Sequence, residues 1–374
     1  MTSTACYALR GVLVAENQLH IGSGMRTGVI KHTRQYVPGS FIRGAFGLCL
    51  LKLGLEGTEL FRSFGDEDGT SSDIYFRHAY PMHLGCGGTY LPAPKTLFRC
   101  RNPQCGKVYD TFSPPYSCEV PGCDGTIRQV SGFRCSKCGD LKERPLNVGR
   151  VTLTSVDRRR QSYAEIPLQG GEAAGTLHVI EVVERGSKFS FEALLDASCS
   201  GELERVTSIL ERCLPDEGIG GSKSRGAGKV RFDRLTVEEI DEDRIQGRAE
   251  GIDTEGFSVT FVSPMMLDAH RGLEGTTLLE ACRRSYTWCF KKGKPELPEL
   301  TLEESRQSME AFSGWSLKSG RRRRVEPAIS AGSSYLFRSK KDQVLSLCLA
   351  ALEYSAIGSY KPHGYGQVVV GGRR

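Results

Sequence analysis

The chain has 374 residues, enough for about two to two and a half average domains, with 39% hydrophobic, 25% charged and 8% aromatic side chains. That composition excludes a disordered chain, a membrane bundle and a single small module. Fifty Lys and Arg against 44 Asp and Glu give a formal charge of +6 and a pI near 8.6, which permits a polyanionic partner without demanding one.

The first residues, MTSTACYALRG, carry no basic patch followed by an apolar core, and no run reaches the roughly 18 apolar residues of a membrane helix. The expectation is a cytoplasmic protein with no membrane partner. Leu9, Val12 and Val14 alternate with polar residues and predict a half-buried strand over residues 7–19, stopped by Ile21-Gly22-Ser23-Gly24. Val37-Pro38-Gly39-Ser40 reads as a helix start. Ser40 is the expected N-cap, and Phe41, Ala45, Phe46, Leu48, Leu51 and Leu53 recur at helical spacing before Gly54 ends the helix.

A cysteine-rich insertion follows at about residues 96–142. Six of the chain's fourteen cysteines fall there in three close pairs, a metal-type pattern; the other eight read as buried small hydrophobes. Cys100, Cys105, Cys118 and Cys123 form two similar knuckles and are the preferred ligands of a zinc ion. A site that pairs Cys135 and Cys138 with one of those knuckles is the alternative, and unliganded thiols are the third possibility. Four thiolates close a tetrahedral zinc and leave no position for water, so the expected role is structural.

Residues 203–214 predict a helix, the glycine-rich stretch from Gly218 to Val230 a loop, and residues 230–235 a strand, before an acidic linker at 238–250. The pattern then restarts. Residues 257–262 form a strand broken by Ser263-Pro264, residues 344–354 a helix, and Ile357 to Val368 a second glycine loop leading to a last strand. Both endings run helix, Ile-Gly, polar and basic residues, Gly-x-Gly, valine-rich strand. Chance similarity of two glycine loops is the alternative to a duplication. The expected fold is α+β: two ferredoxin-like domains, at 1–240 and 251–374, with a zinc-ribbon-like insertion in the first.

The loop at 220–229 offers flexible backbone N–H groups, two hydroxyls, and the cations Lys223, Arg225 and Lys229, which suits a phosphate backbone. It is not a Walker loop, because a strand and not a helix follows it. A tight turn with a solvated charged tip is the competing reading. Arg43, on the first turn of the predicted helix, adds a second anion site. Further arginines cluster at 158–160 and 321–324.

Ile21-Gly22-Ser23-Gly24, Val37 to Ala45 and the Gly220 to Val230 loop together resemble the RAMP superfamily of CRISPR-associated RNA-binding proteins. Arg77 to Pro81, the cysteine insertion, Asp157-Arg158-Arg159 with Tyr163, Gly314-Trp315, Ala331 to Ser334 and the terminal loop resemble its Cas-five group, in particular the Csx-ten family of type III-D effectors. Type VII effectors use a similar subunit. The resemblance implies two RRM-like domains that hold the 5′ repeat-derived handle of a CRISPR RNA and cap a filament of Cas-seven-like subunits. Further implied partners are a large effector or nuclease subunit and, indirectly, target RNA.

Carried over by residue, Ser40 and Arg43 would contact phosphates, and Gly220, Gly221, Ser222, Lys223, Ser224, Arg225 and Lys229 would line the handle. Arg158, Arg159 and Tyr163 would approach the RNA or the next subunit. Ser23, Arg26 and Lys361 are further RNA contacts, and Tyr36, Tyr163 and His363 candidates for reading bases.

The Cas-seven relatives that cut RNA place an aspartate after the first strand, whereas residues 20–36 contain no Asp or Glu. The expectation is therefore a non-catalytic subunit. Asp268, beside His270 after the second opening strand, is a weak catalytic candidate. The alternative function is a metal-independent repeat-processing endoribonuclease using His20, His32 or His363 as acid or base. A zinc-ribbon DNA-binding factor comes third.

Overall fold

The computed structural model describes residues 3–66, 71–154, 156–157, 162–163, 165–167, 173–175, 177–266, 272–312, 315–316, 320–322 and 324–372. Its first unit opens with β1 (Thr4–Ala15), a hairpin of β2 (Gly22–Thr27) and β3 (Ile30–Thr33), and helix α1 (Gly39–Lys52). β4 (Tyr80–His83) and β5 (Gly88–Pro92) lead into the cysteine-rich insertion, from which β6 (Phe133–Cys135) returns to pair with β5. β7 (Val148–Thr154) and β8 (Leu177–Val183) form a small sheet with the hairpin. β9 (Lys188–Asp196) and β10 (Val230–Asp241) flank β1 on either side, joined by helical turns running from Ala197 to Glu217.

With Ile74–Phe76 paired to the far side of β9, the strands lie in the spatial order second, third, first, fourth of a ferredoxin-like β-α-β-β-α-β unit. The second unit repeats this order. After α2 (Glu242–Ala249) come β11 (Phe257–Phe261), α3 (Gly275–Phe290), β12 (Thr301–Arg306), β13 (Ser334–Arg338), α4 (Gln343–Ser355) and β14 (Val368–Gly372), and the sheet runs β12-β13-β11-β14.

Alternation along β1 and β9 sends side chains to two cores. Leu9 and Leu13, with Phe189, Phe191 and Leu195, pack against Phe46 of α1 and Leu210 of the following helical turns. Cys6, Ala8 and Leu194 point the other way and join Ile245, Cys289 and Leu349 of the second unit. The open face of the first sheet is thus covered by the second unit's helices, each buried large apolar side chain contributing about 1.5–3 kcal/mol. Arg77 locks the seam: it pairs with Glu192 at 2.7 Å and donates to the carbonyls of Glu353 and Tyr354 in the last turn of α4.

Three local expectations are corrected. The first strand ends at Ala15, beyond which Leu19 and His20 make only single bridges, to Val183 and Gly221. The segment 238–250 is the end of β10 and helix α2, N-capped by Asp241, whose carboxylate accepts from Arg244 N at 2.9 Å. Ser40 is not a cap. Pro38 holds that position without a side-chain bond, and Ser40 lies in the first turn of α1.

Candidate functional site

The two glycine loops are the same structure placed 138 positions apart. Gly218, Gly220, Ser222, Gly226 and Gly228 have φ of 70°, 91°, 61°, 84° and 95°. Ala356, Gly358, Tyr360, Gly364 and Gly366 have 62°, 84°, 55°, 91° and 73°. Ile219 and Ile357 each donate to the carbonyl nine residues on, Gly228 O and Gly366 O, at 2.8 Å. Each loop is sewn to the exit of its own first strand: Gly228 N donates to Gln18 O, Gly366 N to Pro264 O, Lys229 N to Asn17 Oδ1 and Gln367 N to Ser263 Oγ. A side chain at Gly220 would meet His20 O at 2.6 Å and one at Gly358 would meet Met266 O at 2.8 Å, so both positions require glycine.

What differs is the cover. The tip of the first loop is exposed at Lys223, Ser224 and Arg225. Lys223 pairs with Glu217 at 2.6 Å, a carboxylate it shares with Lys52, whereas no ion pair forms at Arg225 among the described residues. Beside the tip lies a groove of about 390 Å³, floored by Val151, Leu153, Ile180 and Val182 and rimmed by Arg185 and Arg225. An apolar floor edged by guanidinium groups can take an unstacked base and its phosphate.

The second loop does not present such a surface. Its Lys361–His363 turn lies against the start of α1, where a side chain on Gly39 would come within 2.7 Å of His363 O. Burial, reinforced by Arg284, brings the Lys361 ammonium down to about 8. Lys361 and His363 are half-buried beside the seam between the units, less open to RNA than the tip of the first loop.

Of the expected RNA contacts, Arg43 is turned inward and Tyr36 is packed among neighbouring rings. Arg43 is 2% exposed, lies 3.9 Å over the Phe64 ring, and donates to Phe64 O, Asp66 O, Ile74 O and Ser72 Oγ. Its guanidinium holds a chain turn together and does not reach phosphate. Tyr36 packs against the rings of His78 and Tyr80, each 5.2 Å away, and accepts from Arg34, so a base stacking on it would compete with these contacts. Ser40 is hydrogen-bonded to Tyr365 of the second loop.

Ser23 Oγ donates to His32 O and accepts from Met25 N, shaping the β2–β3 hairpin, while Arg26 is exposed at its tip beside Met25 and Val29. His32 Nδ1 sits 3.1 Å from Glu181, a carboxylate only 2% exposed, and His20 Nδ1 donates to Glu181 O at 2.7 Å. Burial would raise the Glu181 carboxyl, but the bonds from His32 and the Thr33 N–H, with the Arg144 charge, hold it below its usual range. Glu181, Arg144, Arg150 and Arg185 were not singled out by the sequence reading, because β7 and β8 carry no motif and only their pairing sets Arg150 opposite Glu181. Arg158, Arg159, the side chain of Tyr163, Asp268 and His270 lie outside the described residues.

In the insertion, the strands Leu97–Cys100, Val108–Asp110 and Ile127–Gln129 bring Cys100, Cys105, Cys118 and Cys123 together with all four sulfurs within 4.8 Å, a set that could hold a metal ion. Cys100 to Cys123 and Cys105 to Cys118 are each 3.6 Å apart. The Tyr109 hydroxyl, 3.4 Å from Cys118, and the Val120 N–H hold that thiol down to about 6, favouring the thiolate a metal needs. Cys135 and Cys138 do not join either knuckle, which removes the alternative pairing. They face His83 and Cys86 instead, so Cys86 is not one of the buried small hydrophobes.

The model of the RAMP superfamily matches residues 12–231, and that of a CRISPR-associated protein (Cas_Cmr3) matches residues 234–372. The CRISPR system Cms endoribonuclease Csm3 of Methanothermobacter thermautotrophicus is 37% identical over 71 residues, 18% of this chain and 29% of that protein. Its counterpart from Methanocaldococcus jannaschii is 36% identical over 67 residues, 17% and 27% of the two chains. The chain thus spans less than a third of these curated relatives. Among solved structures, a Cas6 product complex aligns over 98% of this chain and 100% of its own at 9% identity and a TM-score of 0.44. A chain of an apo type III-B Cmr-beta complex aligns over 61% and 97% at 14% identity and 0.33. Among the described residues no helix is long and apolar enough to cross a membrane.

Proposed function

The chain belongs to the RAMP superfamily, and from that premise we propose that it is a non-cutting, RNA-binding subunit of a CRISPR effector ribonucleoprotein. It holds the 5′ handle of the CRISPR RNA in the first unit and adjoins Cas-seven-like backbone subunits, with a large effector or nuclease subunit in the same assembly. The Cmr3-type match of the second unit supports an effector of type III character. The sequence motifs support the finer reading of a subunit resembling Csx-ten of type III-D, or its type VII relative.

One observation carries the reading. The duplicated loop is exposed only in the first unit, and there it borders an apolar groove rimmed by Arg185 and Arg225. The cysteine insertion contributes no chemistry: Cys100, Cys105, Cys118 and Cys123 hold a structural zinc, whose four thiolates leave no open position.

RNA recovered with the purified protein from its native host tests this reading. A ladder of CRISPR RNAs sharing one 5′ tag is expected, together with tighter binding to tagged than to tag-scrambled RNA of equal length. Equal binding of the two would overturn handle recognition. A second reading rests on His32, whose Nδ1 is oriented by the buried Glu181 carboxylate as a general base would be. Metal-free cleavage of repeat RNA, lost in His32→Ala, would establish that reading in place of the first.

A further inference from the structure

We propose that His83, Cys86, Cys135 and Cys138 form a second zinc site, of Cys3His type, which clamps the root of the insertion to the first unit's sheet. The site is separate from the four-cysteine cluster, and the ligands come from two turns that match each other. His83-x-x-Cys86 closes the β4–β5 hairpin, and Cys135-x-x-Cys138 closes the turn after β6. In each, a glycine with positive φ follows the second ligand, Gly87 at 67° and Gly139 at 74°, and its N–H donates back to the residue of the first ligand, to His83 O at 2.8 Å and Cys135 O at 3.1 Å. Two knuckles of one geometry, facing one another, are how short spacings deliver four ligands to one ion.

The separations fit zinc. Cys86 Sγ lies 3.4 Å from Cys135 Sγ and 3.6 Å from Cys138 Sγ, and His83 Nδ1 lies 3.2 Å from Cys138 Sγ and 3.3 Å from Cys86 Sγ. Zinc–sulfur bonds of about 2.3 Å and zinc–nitrogen bonds of about 2.0 Å give tetrahedral edges of roughly 3.5–3.8 Å, and the four separations lie within about 0.4 Å of these. The sulfurs are too far apart for a disulfide, whose bond is about 2.05 Å. Gly88 is pressed so close that a side chain there would meet Cys135 Sγ at 2.6 Å. The His83 ring is steadied by Tyr90, centroids 5.0 Å apart, whose hydroxyl donates to Asp140 at 2.6 Å in the second knuckle.

The position of the site gives it a mechanical role. β4 pairs with β9, so the clamp ties the insertion to the sheet that carries β1. The start of the insertion touches the second unit: Arg306 Nε donates to Phe112 O at 2.7 Å, beside Thr96, and Lys95 N, just before it, donates to Gly332 O at 2.7 Å. A metal at its root would therefore fix, against the first unit's sheet, the part of the insertion that contacts the second unit.

Metal content of the purified full chain, measured by native mass spectrometry, tests the site. Two zinc ions per chain are expected in the parent, one in Cys138→Ser, one in Cys105→Ser and two in His83→Cys, which preserves four ligands. A parent with one zinc that Cys138→Ser retains overturns the proposal, and so does a parent whose two zinc ions both survive Cys138→Ser. Should Cys138→Ser fail to fold, cobalt substitution decides: His83→Cys is expected to shift the visible absorption of the cobalt-loaded protein, because sulfur replaces nitrogen at one of the two ions. An unchanged spectrum overturns the site.

Discussion

The backbone N–H of Gly39 donates to Nδ1 of His78 at 3.1 Å, so the first residue of α1 is tied to a neutral imidazole in the seam between the units. His78 is 4% exposed, stacks on Tyr36 at 5.2 Å, and meets Tyr365 of the second glycine loop edge-on at 5.4 Å. Nδ1 accepts, so the proton sits on Nε2, which has no hydrogen-bond partner among the described residues. Burial, and then the charge of Arg34, hold the imidazole down to about 3.

That shift makes the fold sensitive to mild acid. Between the ordinary value of 6.5 and about 3 the unfolded chain binds a proton at this position and the folded chain does not, so stability rises with pH across the window and falls on acidification. From pH 7 to 4.5 the loss from this group is roughly 2–3 kcal/mol. Urea midpoints measured at the two pH values should fall less in His78→Phe than in the parent. An equal fall would place the sensitivity elsewhere.

Arg225 and Lys223 share the loop tip but should not share its effect. Lys223 is already paired with Glu217, whereas Arg225 rims the groove. Arg225→Ala is expected to weaken RNA binding and to lower the salt slope by about 0.7, the value of one single-strand phosphate contact. Lys223→Ala is expected to change the slope by less than half as much. Titrations over a range of salt concentrations separate the two, and equal slopes would mean that RNA displaces Glu217 from Lys223.

Arg43→Ala should behave as a folding variant. Its guanidinium donates to three backbone carbonyls and a hydroxyl, and removing it leaves those acceptors buried without a charged donor. A loss of about 3 kcal/mol is expected in chemical denaturation, with RNA affinity unchanged where the protein remains folded. A weakened affinity at full folding would restore the phosphate contact expected from the sequence.

The contrast between Arg43 and the glycine loops shows what the sequence makes legible. Left-handed backbone leaves a mark in composition, because only glycine adopts it freely, so the spacing of Gly218, Gly220, Gly226 and Gly228 displays the loop, and its recurrence displays the duplicated unit. Cysteines with four residues between them mark a knuckle in the same way. An arginine on a first helical turn carries no such mark: Arg43 is interior because Phe64, Asp66 and Ile74 bring carbonyls to it from elsewhere in the chain. His83 escaped for the same reason, its cluster being assembled from turns some fifty residues apart and of mixed ligand type. Helix α2 was hidden by its polarity, since only Ile245 and Ala249 are buried, although Asp241 with Glu242 and Asp243 is a good helix start.

The matched loops permit a direct comparison of binding and folding roles. Gly220 and Gly358 have nearly the same φ, and each leaves no room for a side chain beside a backbone carbonyl, so alanine at either should destabilise by more than 1 kcal/mol, roughly. Their surroundings differ. Gly220 supports the exposed tip with Arg225, whereas Gly358 supports the turn that packs against Gly39 and His78. Gly220→Ala should therefore weaken RNA binding as well as stability, by distorting the backbone that positions Arg225. Gly358→Ala should lower the unfolding midpoint while leaving the affinity of the folded protein at the parent value. Binding measured well below each variant's melting temperature distinguishes the cases, and an equal loss of affinity in Gly358→Ala would show that the second loop also meets RNA.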